Sequence, residues 1–462
     1  MKSFFLFVFT SLLIFLNVYG QKSARLDSLF TALYKGGQFN GNVLIAEKGQ
    51  IILEKSYGYA DFESKIPLDT ETIFDFASVS KAFTAAGILL LQKQNQLNIK
   101  DPISKYIPEL DFYKGVTIEN LIHHVSGLPD FMQVFQKHWN KHQFATNQDI
   151  VNQFQKYRPE INAKPGEKFE YSNTGYALLG LIIERASGES YAAFLKKNIF
   201  EPLRMTRTQV YRYFYDEDTL ANYAIGNIKN NLDEPVSITN LPDTNYRYYL
   251  DGIVGAGQIK STVKDLFKWD RALKTQQLFT DEEKELLFSP IKNNENQTIS
   301  YGYGWVIYAT IPQKIVYHPG RWSGYLNHFE LDLSNDKTII ILQNNDLQKT
   351  RMPKYEVRDI LYETEEVSID SSLMNRFIGD YYQSKQKVSI SKEKDHLLFT
   401  SAEGDAFVMR ALGGNSFSVS RYLFDIYLNF STDENGRLSL TISAPDTNFE
   451  KSYLKENAKI DK

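Results

Sequence analysis

Ser78-Val79-Ser80-Lys81 places a hydroxyl and an amine three residues apart. On a helix, positions i and i+3 share a face, so the two groups would meet. A serine hydroxyl is a weak nucleophile until a neighbouring base takes its proton. Lysine serves as that base when burial or nearby charge lowers its pKa. A helix starting at Ser78 would add positive potential and an orphan backbone N–H for a developing oxyanion. The spacing by itself says little, because it occurs eight times, including Ser261 to Lys264, Ser289 to Lys292 and Ser334 to Lys337. Ser78 differs in context: strand-like Phe74-Asp75-Phe76-Ala77 precedes it and a long apolar helix follows. The competing reading of the pair is an exposed serine and lysine at a helix end.

Two further groups carry chemistry. Tyr171-Ser172-Asn173 follows a loop containing Pro165 and Gly166 and precedes an apolar stretch. Tyr171 could act as a base beside a cation, and Asn173 could donate to a substrate carbonyl or hold Lys81. A helix start with a capping neighbour is the alternative. His318-Pro319-Gly320 ends a strand-like run just before Arg321, Trp322 and Ser323. Glycine there would let a ligand approach a strand edge, whereas a plain turn would equally use Pro-Gly. His123 and His124 lack an HExxH pattern or a third ligand at metal-binding spacing, so a structural role at a helix end before Gly127 is expected, with no metal and no cofactor.

The elements that must position these residues follow from periodicity. Residues 40–59 alternate, with Lys48-Gly49-Gln50 as a hairpin turn. Helices are expected after Ser78, over Thr174 to Ala186 and over Val263 to Leu273. Strands return from Ile315 onward. Strands at both ends around a helical middle predict an α+β fold: an antiparallel sheet flanked by helices, with an all-helical region. An acidic, Ser-rich stretch at 363–375 reads as a linker after a main domain at 21–362. The rest, 376–462, reads as a small all-β barrel or sandwich, with turns at Glu393-Lys394-Asp395 and Asp433-Glu434-Asn435-Gly436.

In this order and at these separations the three groups resemble the serine β-lactamase and penicillin-binding superfamily. They are most similar to the class C β-lactamase and D-alanyl-D-alanine carboxypeptidase family, with its esterases and D-aminopeptidases. Leu121 to Phe131 (LIHHVSGLPDF), Gly252 to Trp269 and Tyr301 to Trp305 (YGYGW) resemble further family segments, so the likeness covers roughly 25–360. It implies a β-lactamase/transpeptidase-like fold and an acyl-enzyme on Ser78. It also implies proton transfer by Lys81 and Tyr171, with Asn173 bonded to Lys81 and substrate. The backbone N–H groups of Ser78 and Arg321 would form an oxyanion hole, and His318 and Gly320 would line the substrate edge. One departure matters: His318 stands where many members carry a lysine. A neutral histidine would pair poorly with a substrate carboxylate, so poor β-lactam turnover is expected. The C-terminal unit, starting FIGDYY at Phe377, more loosely resembles lipocalin-like domains of some members.

Composition bounds the rest. The 462 residues suit two or three folding units. With 52 basic against 56 acidic side chains and no basic block, nucleic acid is not an expected partner. Lys2, an apolar run from Phe4 to Leu16, and small Val18 and Gly20 read as a signal peptide over 1–20. A periplasmic or secreted protein with no stable membrane span after cleavage is expected. There are no cysteines, so no disulfide or thiol chemistry is available. The reading is a serine hydrolase of small-molecule or peptide substrates, with D-amino-acid peptides first, esters second and β-lactams third. A slowly deacylating penicillin-binding protein and a non-catalytic binding or assembly protein on the same fold are the competing readings.

Overall fold

Lys48 and Gly49 both adopt positive φ, 52° and 73°, the pattern of a two-residue type I′ hairpin turn. They join β1 (Gly41–Glu47) to β2 (Gln50–Tyr57), as the sequence led one to expect. The structure, a computed structural model, describes residues 2–229, 234–308, 313–347, 349–364, 371–393, 396–419, 425–432, 437–444 and 449–456. Four later strands complete the main sheet: β3 (Val306–Ile307), β4 (Ile315–Trp322), β5 (Tyr325–Asp332) and β6 (Lys337–Gln343). The order is β3-β4-β5-β6-β1-β2, antiparallel throughout.

The run TIIIL explains why β6 is central. Successive strand side chains point to opposite faces. Ile339 and Ile341 pack with Val43, Ile45, Leu26 and Phe30 on one side. Ile340 and Leu342 pack with Leu44, Phe329 and Trp269 on the other. The first face is covered by α1 (Lys2–Lys35) and the second by α4 (Val263–Lys274), with α2 (Ser80–Lys93) and α3 (Asn173–Ser187) deeper in the same core. The sequence suggested one apolar face for α2. In the fold every residue from Ser80 to Leu91 is buried, as befits a helix enclosed on all sides. The ends of α3 carry their own signals: Ser172 Oγ accepts the Gly175 N–H at 3.2 Å, and Gly188 closes the helix at φ 72°.

The C-terminal unit is a closed antiparallel barrel of eight strands, from Gly379–Gln383 to Phe449–Lys455. Closure comes from Tyr381 pairing with Lys455 and Tyr382 with Leu454. Phe377, Phe399, Phe417, Leu428 and Phe430 are among the side chains that fill it. A helix, Ser371–Phe377, leads in, so the expected linker already contains structure at its end. Residues 365–370 and the turn residues 394–395 and 433–436 lie outside the described residues, although the flanking strands pair as hairpins.

The barrel docks behind the sheet through charge. Lys354, on α5 (Lys354–Tyr362), donates to Asp425 Oδ1 at 2.8 Å, and the Tyr308 hydroxyl donates to Asp425 Oδ2 at 3.0 Å. Lys354 and Asp425 are both buried, and Arg410 of the barrel pairs with Asp359 of α5. Asp425→Ala would leave the Lys354 ammonium buried without its counter-charge. An expected destabilisation of about 3–5 kcal/mol follows, to be read from urea unfolding. A change under 1 kcal/mol, roughly what an exposed pair contributes, would mean that the junction is hydrated.

Candidate active site

Ser78 lies in a 3-10 turn, Ala77–Val79, that runs straight into α2. Strained geometry presents it: Ala77 has φ 48°, a left-handed conformation costing a non-glycine residue about 1–2 kcal/mol. What holds the turn is Asp75, which sequence reasoning missed. Its Oδ1 accepts the Ala77 N–H at 2.9 Å. Its Oδ2 accepts from Lys260 Nζ at 2.6 Å, with Arg247 3.5 Å away, and all three side chains are buried. Burial alone would push the Asp75 carboxyl up, but the Lys260 and Arg247 charges outweigh it and hold the group below the usual carboxylate range. Asn327 Nδ2 donates to the Asp75 carbonyl at 2.8 Å, which ties the turn to β5.

Lys81 is fully buried one helical turn after Ser78. Its Nζ lies 3.0 Å from Ser78 Oγ, 2.9 Å from Asn173 Oδ1 and 2.9 Å from the Ala256 carbonyl. Burial drives its pKa well below the ordinary lysine value. A neutral amine has two N–H donors and one lone pair. The two carbonyl oxygens can only accept, so they take the donors. The lone pair is left facing the Ser78 hydroxyl, which is the arrangement a general base needs. The Tyr171 ring stands beside this group, its centroid 4.9 Å from Lys81 Nζ. Thus Ser78, Lys81, Tyr171 and Asn173, drawn from two distant segments, meet at one point.

The third group is only partly brought in. Gly320, on β4, passes so close to the Ser78 turn that a Cβ there would sit 2.3 Å from the Phe76 carbonyl. Gly320→Ala must therefore displace β4 or the turn. A misplacement of about 1 Å costs on the order of 100-fold in rate, so labelling of Ser78 by a fluorophosphonate should slow by that factor. Labelling at the unsubstituted rate would show that the contact is slack. His318 is fully buried and neutral. Burial, then the nearby Lys81, lower its pKa to about 3. Its Nδ1 lies 2.6 Å from the Pro319 carbonyl and its Nε2 2.9 Å from the Tyr301 hydroxyl. A carbonyl can only accept, so Nδ1 carries the proton and Nε2 accepts from Tyr301. His318 thus offers no charge to a substrate. Arg321 does reach the cavity, but its guanidinium pairs with Asp346 at 3.1 Å. His123 and His124 bond backbone groups through Nδ1, to the Tyr301 carbonyl and the Ser172 N–H respectively.

In front of Ser78 lies a cavity of about 450 Å³. Ser78, Tyr171 and Asn173 border it, Phe131, Leu250, Ile253 and Trp322 give it apolar walls, and Arg321 and Asp346 lie along it. Neither His318 nor Gly320 is among its lining residues. The β-lactamase family model matches residues 26–361. The chain belongs to the β-lactamase family. Among members, Penicillin-binding protein 4* of Bacillus subtilis (strain 168) is 37% identical over 420 residues, covering 85% of this chain and 92% of the relative. Two solved structures extend the likeness in fold. The octameric penicillin-binding protein homologue of Pyrococcus abyssi matches with a TM-score of 0.63 at 24% identity, covering 94% of this chain and 99% of that one. The D-amino acid amidase of Ochrobactrum anthropi SV3 matches with a TM-score of 0.61 at 24% identity, covering 74% and 98%. The β-lactamase-family resemblance read from the motifs therefore holds, as does the expected α+β fold with its appended β unit. At that level the protein is a serine hydrolase of the β-lactamase family.

Proposed function

We propose that the protein is an exported hydrolase that forms an acyl-enzyme on Ser78 and cleaves amide or peptide bonds next to a D-amino acid with an apolar side chain. The observation that carries this reading is the Lys81 amine held between Ser78 Oγ and two carbonyl acceptors. On attack, Ser78 Oγ bonds to the substrate carbonyl carbon and its proton moves to Lys81 Nζ. The oxyanion would be met by the N–H groups of Ser78 and Arg321. The proton passes by way of Lys81 and Tyr171 to the leaving amine as the C–N bond breaks. Water then adds to the acyl carbon, one of its protons returns by way of Tyr171 and Lys81 to Ser78 Oγ, and the C–Oγ bond breaks to release the carboxylic acid.

The apolar cavity walls, and the pairing of the Arg321 guanidinium with Asp346 along the cavity, support an uncharged acyl group over one bearing a free carboxylate. The likeness to a D-amino acid amidase supports the D-configuration. Esters, whose leaving group is better, come second, and β-lactams third. Export is supported by the N-terminal signal pattern and by packing. Among the residues whose side chains are described, the first buried ones of the N-terminal helix are Lys22 and Leu26. Both lie beyond a cleavage after Gly20, which would take only the half-buried Tyr19 from the edge of that core. The mature mass should then begin at Gln21.

The test is a panel of D- and L-phenylalanine p-nitroanilides, p-nitrophenyl acetate and nitrocefin, with intact-mass detection of the adduct. Faster turnover of the D-anilide and an acyl adduct on Ser78 are expected. Preference for the L-anilide, or for nitrocefin, would reject the substrate assignment. An adduct that persists without turnover would mark a slowly deacylating binding protein instead.

A further inference from the structure

We infer that His124 is a positioning residue for Tyr171, an inference that rests on the proton-transfer role proposed for that tyrosine. His124 ends the helical turn after Ile118–Ile122 and stands at φ 57°. That conformation turns its carbonyl and its ring towards the same neighbouring strand of chain. The carbonyl accepts the Glu170 N–H at 2.8 Å, and ring Nδ1 accepts the Ser172 N–H at 3.0 Å. The two bonds grip the backbone immediately before and immediately after Tyr171. The ring itself lies 4.4 Å from the Tyr171 ring, centroid to centroid, and 4.5 Å from that of Tyr301. Tyr171 is thereby clamped by one residue from three directions.

The clamp needs the neutral ring. To accept a backbone N–H, Nδ1 must be unprotonated, so the proton sits on Nε2. Burial keeps the imidazole neutral by driving its pKa well below the ordinary value. Nε2 is buried and has no hydrogen-bond partner among the described residues. The ring's one hydrogen bond there is the one to Ser172, and packing against Tyr171, Tyr176 and Tyr301 holds the ring in the plane that makes it. The same contact serves a second element, because Ser172 caps α3, whose first residue is Asn173. His124 thus acts through Tyr171 and touches no reacting atom in the proposed mechanism.

Two substitutions separate the acceptor from the backbone conformation. Glycine tolerates positive φ and removes the ring, while asparagine tolerates it and returns an acceptor oxygen. kcat and KM for the faster of the D- and L-phenylalanine p-nitroanilides, whose leaving amine needs a proton, would be measured for His124→Gly, His124→Asn, Tyr171→Phe and the His124→Gly/Tyr171→Phe double variant. Loosening a proton-transfer group should lower kcat in His124→Gly by about 10- to 100-fold with little change in KM. His124→Asn should recover most of that loss. In the Tyr171→Phe background His124→Gly should add almost nothing, since residues acting as a unit are not additive. Equal losses in the Gly and Asn variants, or full additivity with Tyr171→Phe, would overturn the inference. So would a normal kcat in His124→Gly while Tyr171→Phe is slow, and this result would leave the mechanism standing. A normal kcat in Tyr171→Phe would instead reject the tyrosine's role, and the inference with it. If His124→Gly does not fold, His124→Phe restores the ring volume without the acceptor and carries the same expectations.

Discussion

Ser78→Ala is expected to abolish covalent labelling and to lower kcat by about 10⁴- to 10⁶-fold, the scale seen when a nucleophile is removed from a serine hydrolase. Folding should survive. The substitution deletes one oxygen from a small side chain, and Lys81 keeps its bonds to Asn173 and Ala256. The backbone N–H of residue 78 also remains, so substrate binding should change little. Intact mass after fluorophosphonate treatment, beside ester turnover and a thermal melt, reads all three quantities. A label that moves to another serine would show that the nucleophile has been misassigned.

Lys81→Met should produce the second largest effect, a fall in kcat of about 10²- to 10⁴-fold, the range for losing a general base. The stability change has a definite pH signature. In the folded protein the Lys81 pKa lies well below 10.5, while the unfolded chain has an ordinary lysine. Between those two values the unfolded state binds more protons, so this residue makes stability rise with pH. Its penalty is largest at low pH and gone above the ordinary lysine pKa. Methionine removes that penalty but leaves two carbonyl acceptors unmet, at about 1–3 kcal/mol. The unsubstituted protein should therefore gain stability relative to Lys81→Met as pH rises from 6 towards the ordinary lysine value of about 10.4. The same titration should give the rate an ascending limb well below pH 10.5. A constant stability difference, or a rate that rises only near pH 10, would mean that Lys81 is an ordinary ammonium.

Parts of this site could be read before any coordinates because their geometry is local. Ser78 and Lys81 lie three residues apart, and helix geometry alone brings them together. The Lys48-Gly49 turn is equally local. Tyr171, Asn173 and His318 became legible only through the order of motifs, since nothing in their spacing fixes a distance to Ser78. Asp75, Arg247 and Lys260 were invisible: they come from three separate segments, and a buried charge cluster has no period. The direction of the Arg321 side chain was illegible for the same reason, because its partner Asp346 lies beyond two further strands. Barrel closure depends on the first strand meeting the last, at Tyr381 and Lys455. Alternation within each strand says nothing about that, so barrel and sandwich looked alike.

The buried contact of Asp425 with Lys354 and Tyr308 also bears on how freely the two halves of this chain could be exchanged with those of other proteins. A foreign barrel fused after α5 would have to bring a carboxylate to the same spot, or leave an ammonium stranded at the seam. Cutting the barrel away altogether is gentler to that one side chain, because water then reaches Lys354. Recombination at this boundary is thus filtered by a single matched charge: whole-unit loss is tolerated locally, mismatched grafts are not, and successful hybrids should carry Asp or Glu at the position of Asp425.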